Sequence, residues 1–249
     1  GFVLLNNDHE YHKEINKYIN KNNTNVITYG MNKNADIRLI KRKIVEKGQA
    51  IIAEAYGKKY HYSISLDGEH QAINSLVVIG VLLITKCNIN KGLKNLFETM
   101  PLYGRGSRHN LKILGKKSIL IDDSYNANLS SMRASIKSLD EIAKNNRKVL
   151  IFGEMGELGI FSNDLHNKLY KFLINFNIGL VIFLGNKTKN LYNLCKSKIE
   201  CTWSENVYSI SKEEIFNLIK PKDYILIKGS RHMKMEVIVE YLLKEYKGK

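Results

Sequence analysis

Four short stretches decide the fold: SILIDD at 118–123, KVLIFGE at 148–154, LVIFLGN at 180–186 and YILIKGS at 224–230. Each is β-branched or Leu-rich and nearly continuous in apolar character, as strands covered on both faces are. Between and after them lie segments of helical period: Ser131–Ala143, Asp164–Phe176, Thr188–Lys198, Glu213–Ile219 and Met235–Tyr246. Ser211 with Glu214 fits a capping box at the start of the fourth. This alternation predicts a parallel, doubly wound α/β domain over about residues 106–249. In such sheets chemistry gathers outside the carboxyl ends of the strands, so the loops after Ile121, Phe152, Leu184 and Ile227 matter most.

Upstream the rhythm differs. Residues 1–30 read as strand, helix and strand, and residues 36–66 as antiparallel strands turning at Lys47-Gly48 and Gly57-Lys58. From Glu69 the period becomes helical to about Cys87, with a second helix at Lys91–Met100. Pro101 and the cluster YGRG (103–106) mark a break, which divides the chain into 1–105 and 106–249. The chain opens at Gly1 directly into an apolar run and reads as cut from something longer.

Composition narrows the function classes. Of 249 residues, 44% are hydrophobic and only 2 are proline, enough for a core and against wholesale disorder. Lys+Arg 39 against Asp+Glu 24 gives +15, but the lysines are spread evenly, without an arginine-rich tail or aromatic–basic interleaving. That favours solvated faces over a nucleic-acid-binding α/β protein, which stays as the minor alternative. The longest apolar run, Ser75 to Ile84, is about half of what a bilayer span needs. Three cysteines without CxxC spacing argue for a reducing, cytoplasmic home and against a zinc site.

The loop IDDSYNAN (121–128) offers two carboxylates at a strand end, of which one faces each side of the sheet. Asp123 can accept ribose hydroxyls, or these residues can serve as turn and cap formers. The loop GEMGELG (153–159) joins three glycines to Glu154 and Glu157, which would repel a phosphate. In KGSRHMKME (228–236), Lys228 and Arg231 around Gly229 and Ser230 can form an anion-receiving corner, or be charged helix starters. Gln71 and Asn74 in GEHQAIN (68–74) share a helix face and offer donor–acceptor pairs to a planar base. Arg105, between two glycines at the break, can reach phosphate. His9 and His12 have no third ligand nearby, so no metal site is assigned. The sequence holds no GxxxxGK[ST], GxSxG, HExxH or GxGxxG pattern, and no residue is assigned as catalytic.

In this order, GEHQAIN, YGRG, LIDDSYNAN, GEMGELG followed by His166, and KGSRHMKME resemble the Mur ligase family, and within it the branch that adds D-alanyl-D-alanine. The resemblance covers nearly the whole chain. It implies the second half of a central α/β ATPase domain followed by a C-terminal Rossmann-like ligase domain. The family's UDP-sugar domain, P-loop and modified lysine would lie before Gly1, possessed by another chain or by none. The implied activity is ATP-dependent amide ligation through an acyl phosphate. Its substrates would be UDP-N-acetylmuramoyl-tripeptide and D-alanyl-D-alanine, with ATP and Mg2+ as cofactors and most magnesium ligands upstream. By resemblance Gln71 and Asn74 hold adenine, Asp123 ribose and Arg105 the phosphates; Asn126, Asn128, Ser230 and Arg231 surround the dipeptide. Two departures stand out: Gln71 replaces the usual Asn, and Leu129 replaces the proline that usually follows NAN. The alternative is a non-catalytic nucleotide- or peptide-binding remnant.

Overall fold

A computed structural model describes residues 1–20, 24–99 and 102–247. The chain divides into two compact units, Gly1–Met100 and Pro101–Lys249.

The first unit runs β1 (Phe2–Asn6), α1 (His12–Asn20), β2 (Asn25–Gly30), β3 (Ile37–Ile44), β4 (Gln49–Ala55), β5 (Lys58–Ile64), α2 (Glu69–Ile84) and α3 (Ile89–Leu96). Its sheet has the order β1-β2-β3-β4-β5, parallel from β1 to β3 and antiparallel from β3 to β5. Strand β4 alternates buried and half-buried residues, and its Ile51 and Ala53 pack with Ile37, Leu76, Ile79 and Leu93. The fully buried carboxamide of Gln49 donates to the carbonyls of Leu66 (3.0 Å) and Gly68 (2.8 Å). The Gly68 carbonyl also accepts from the amides of Gln71 (3.1 Å) and Ala72 (3.3 Å), so the Gln49 side chain ties the start of α2 to the core. Helix α2 ends at Ile84, sooner than its apolar pattern predicts, because Thr85 caps it and Lys86 turns left-handed. Helix α3 is α-helical over Ile89–Leu96, with Asn88 as its cap; Met100, the expected end, lies outside the described residues.

The second unit runs β6 (Ser107–Ile113), β7 (Lys116–Asp123), α4 (Leu129–Ala143), β8 (Lys148–Gly153), α5 (Ser162–Asn167), α6 (Tyr170–Asn175), β9 (Leu180–Leu184), α7 (Lys189–Cys195), β10 (Cys201–Ser204), α8 (Lys212–Leu218), β11 (Tyr224–Lys228) and α9 (Glu236–Tyr246). The sheet order is β10-β9-β8-β11-β7-β6, all parallel except β6 on β7. Period-two alternation splits the strands between two cores. Val149, Ile151, Ile182 and Ile227 meet Ile215, Ile238 and Leu242 on one face. Leu150, Phe152, Val181 and Phe183 meet Met132, Ile136, Leu173 and Leu191 on the other. The doubly wound α/β class follows from this arrangement.

Two strands escape the sequence pattern, both at sheet edges. Strand β6 (SRHNLKI) has apolar side chains only at Leu111 and Ile113, and β10 is four half-buried residues long. An edge strand needs only one apolar face, so it lacks the continuous run that marks its neighbours. The helix expected at Asp164–Phe176 is two helices, α5 and α6, joined through Lys168 and Leu169. The Ser211–Glu214 capping box forms as the spacing predicts. A second, Asn128 with Ser131, closes the first turn of α4. It does so without the proline that Leu129 displaces at the first helical position.

Candidate functional site at the carboxyl edge of the second sheet

Strands β7, β8 and β11 end in register: Lys228 pairs with Asp123 on one side and Phe152 on the other. Their three loops therefore emerge together. Close approach there depends on glycine. A Cβ on Gly229 would come within 2.9 Å of the Gly153 Cα and 2.7 Å of the Met235 Cγ.

Asp122 and Asp123 point apart, as alternation requires, and do different work. The fully buried Asp122 carboxylate accepts from the Gly104 amide (3.1 Å) and from the Ser124 hydroxyl (2.6 Å) and amide (3.2 Å). The Gly106 amide donates to the Asp122 carbonyl (2.7 Å), and the Tyr125 amide to the Gly104 carbonyl (3.0 Å). The Tyr103–Gly106 segment is thereby stitched to the end of β7, which brings Arg105 to the site. Its guanidinium lies 4.3 Å from the Tyr125 ring centroid, and that of Arg231 lies 5.8 Å from the same ring. Arg231 also pairs with Glu236 at 2.9 Å.

Asp123 Oδ2 accepts from the ammonium of Lys228 (2.7 Å) and the hydroxyl of Ser135 (2.6 Å). Lys228 is 3% exposed and donates as well to the Asn126 carbonyl (2.9 Å). A buried ammonium is tolerated because both partners accept from it. Asn128 Oδ1 accepts from the Ser131 amide (2.8 Å), so this carboxamide is engaged as a helix cap. The Asn126 Oδ1 accepts from the Ala127 amide (2.8 Å). The buried Ser230 hydroxyl accepts from the Gly156 amide and donates to the Ala127 carbonyl at 3.3 Å, linking all three loops. Glu154 adds a fourth, with Oε1 paired to His232 Nε2 (3.0 Å) and Oε2 accepting from the Lys187 amide after β9 (3.0 Å).

The structure thus gathers Arg105, Asp123, Asn126, Asn128, Ser230 and Arg231 at one sheet edge. Gln71 and Asn74 sit in the first two turns of α2 in the other unit, half-buried and exposed respectively. Neither carboxamide has a hydrogen-bond partner among the described residues. Sequence reasoning missed Ser135, Tyr125 and Glu236. Ser135 lies one helical turn beyond Ser131, the capping-box partner of Asn128, a spacing that signals a shared helix face. Tyr125 and Glu236 stood inside the quoted motifs with no pattern to set them apart. Among the described residues no group of three or more His, Cys, Asp or Glu side chains is arranged to hold a metal ion.

His166 supports the site from beneath. Its Nε2 accepts from the Met155 amide (2.9 Å) and its Nδ1 donates to the Ser162 carbonyl (2.6 Å), which fixes the neutral tautomer. Burial pushes this imidazole below its ordinary 6.5, against the opposing pull of the Ser162 carbonyl and Glu154. The unfolded chain therefore takes up the proton first. The stability that His166 contributes is complete above about pH 6.5 and is lost as pH falls through the folded-state value. His166→Gln is expected to melt with a shallower loss between about pH 7.5 and pH 5.5 than the parent. Parallel melting curves would assign the acid sensitivity to other groups, such as His109, whose burial shifts it the same way.

Sequence comparison places the chain in a known family. The profile of the Mur ligase middle domain matches residues 1–82, and that of the Mur ligase glutamate ligase domain matches residues 110–231. The chain belongs to the Mur ligase family. Among curated relatives, the UDP-N-acetylmuramoyl-tripeptide–D-alanyl-D-alanine ligase of Rickettsia prowazekii is 31% identical over 233 residues, 93% of this chain and 50% of its own. That of Buchnera aphidicola subsp. Baizongia pistaciae is 28% identical over 99% of this chain and 52% of its own. The fold matches a MurF crystal structure from Acinetobacter baumannii with TM-score 0.85 at 20% identity, over 98% of this chain and 52% of that one. A Thermotoga maritima MurF in complex with ADP matches with TM-score 0.80 at 22% identity, over 98% and 53%. The chain spans about half the length of the relatives it matches. No helix among the described residues is long and apolar enough to cross a membrane.

Proposed function

We propose that the chain is part of an ATP-dependent ligase that joins D-alanyl-D-alanine to UDP-N-acetylmuramoyl-tripeptide. The names of its relatives support the substrates, and the arrangement at the sheet edge supports the chemistry. One observation carries the reading: two cations, Arg105 and Arg231, are held against one ring, Tyr125, beside the Asp123–Lys228 pair.

In this reaction the terminal carboxylate of the tripeptide attacks the γ-phosphorus of ATP, and ADP leaves. The amine of the dipeptide attacks the acyl carbon, loses a proton, and inorganic phosphate departs with the electron pair of the broken C–O bond. Charge on the phosphoryl oxygens and on the tetrahedral intermediate needs fixed positive groups in place beforehand. Arg105 is assigned to the phosphates and Arg231 to the dipeptide carboxylate, where guanidinium geometry allows two parallel hydrogen bonds. Ser230, Asn126 and Asn128 shape the acceptor side; the Asn126 and Asn128 carboxamides keep their N–H2 groups for it. Asp123 is assigned to the ribose, with its Oδ2 already held by Lys228. Gln71 and Asn74 are assigned to the adenine edge. Magnesium, when present, would neutralise phosphate charge; the described residues do not form its site.

Binding of the acceptor is the test. D-alanyl-D-alanine at about 100 times its dissociation constant is expected to stabilise the folded protein by about 2.7 kcal/mol, seen as a raised melting temperature. L-alanyl-L-alanine should leave it unchanged. Equal shifts with both dipeptides, or none with either up to tens of millimolar, would remove the acceptor assignment.

A further inference from the structure

The turn after β8 carries a feature that the ligase reading leaves unused. Beyond Leu158, which packs against the core, Gly159 turns with φ +52° into a 3-10 turn, Gly159–Phe161. There Ile160 is 91% exposed and Phe161 61% exposed. Single exposed apolar residues are ordinary on a protein surface, but two consecutive large ones held out at a turn mark a surface suited to a partner. Phe161 lines an open cavity of about 640 Å3 together with Leu165 and Leu194, and Leu194 is itself exposed. Arg133, Lys168 and Lys171 line the same cavity against a single acid, Asp164. An apolar tip rimmed by cations, on a chain of formal charge +15, is complementary to an interface that is apolar inside and anionic outside.

We infer that Ile160 and Phe161 insert into the surface of an anionic lipid bilayer, with Arg133, Lys168 and Lys171 against the headgroups. The two apolar side chains enter the acyl boundary while the lysine stems lie along it and keep their ammonium groups at the phosphates. Neither interaction suffices alone: two side chains make a weak anchor, and a few cations a salt-sensitive one. The contact is reversible and requires no membrane-spanning helix.

Co-sedimentation of the full chain with phosphatidylcholine vesicles, with and without phosphatidylglycerol, tests this. Binding is expected only with phosphatidylglycerol, and it should weaken as salt rises. The double variants I160S/F161S and K168E/K171E should each weaken it by about tenfold or more. Ile160 makes almost no protein contact, so unchanged melting temperatures would confirm that the first variant is folded. Three results overturn the inference: no binding to anionic vesicles, binding undiminished in I160S/F161S, or self-association of the parent that this variant abolishes while vesicles stay unbound. The second would mean diffuse charge attraction; the third would make the tip a contact between protein copies.

Discussion

Replacing Lys228 by Met is expected to lower the unfolding free energy of the Pro101–Lys249 unit by about 3 kcal/mol, the low end of the cost of breaking a buried ion pair. Lys228 is 3% exposed, and its ammonium is shared between Asp123 Oδ2 and the Asn126 carbonyl. Methionine fills the same space but leaves a carboxylate without its counter-charge. The Ser135 hydroxyl still donates to that oxygen, and the Asp123 side chain is 21% exposed, so the low end of the range applies. Adding Asp123→Asn to Lys228→Met removes the stranded charge and is expected to recover much of the loss. Urea unfolding of the two single variants and the double variant measures this. A Lys228→Met cost under about 1 kcal/mol would mean that water or rearrangement compensates Asp123.

Arg231→Ala is expected to raise the Michaelis constant for D-alanyl-D-alanine by about ten- to a hundredfold while leaving that for ATP nearly unchanged. A hydrogen-bonded charge pair is worth on the order of 1.5–3 kcal/mol. Arg231 is 59% exposed and tied to Glu236, so its removal costs the fold little. Asp123→Asn should show the reverse bias, because the ribose contact proposed for Asp123 would contribute to nucleotide binding before chemistry begins. Asparagine keeps an acceptor for Lys228, which makes it a cleaner probe than alanine. Steady-state kinetics on the intact gene product, with each substrate varied in turn, separates the two proposed roles. Equal effects on both substrates, or a melting shift with unchanged kinetics, would show that these loops are assigned wrongly.

How far the sequence foretells this protein depends on how strongly each element is dictated locally. Strands β7, β8, β9 and β11 are buried on both faces, so their apolar runs announce them. Strands β6 and β10 lie at edges and carry too few apolar residues to do so. The loop motifs predict which residues gather at the carboxyl edge, because a parallel sheet brings its strand ends together. They do not predict how those residues divide the work. Asp122 and Asp123 are adjacent and chemically identical, yet one is fully buried stitching the Arg105 segment to β7, and the other neutralises a buried lysine. Asn128 was legible both as a ligand contact and as a helix cap, and its Oδ1 is at the cap. The contact of Arg231 with Tyr125 joins residues more than a hundred positions apart, which no local pattern encodes.

The most direct measurement is ADP release by the intact product of the gene that encodes this chain, supplied with ATP, UDP-N-acetylmuramoyl-tripeptide and D-alanyl-D-alanine. The expected result is turnover that requires all three and yields the tripeptide extended by D-alanyl-D-alanine. The 249-residue polypeptide alone, whose sequence holds no P-loop, should give none. Turnover with a single amino acid in place of the dipeptide, or nucleotide binding with no ligation by the intact product, would contradict it.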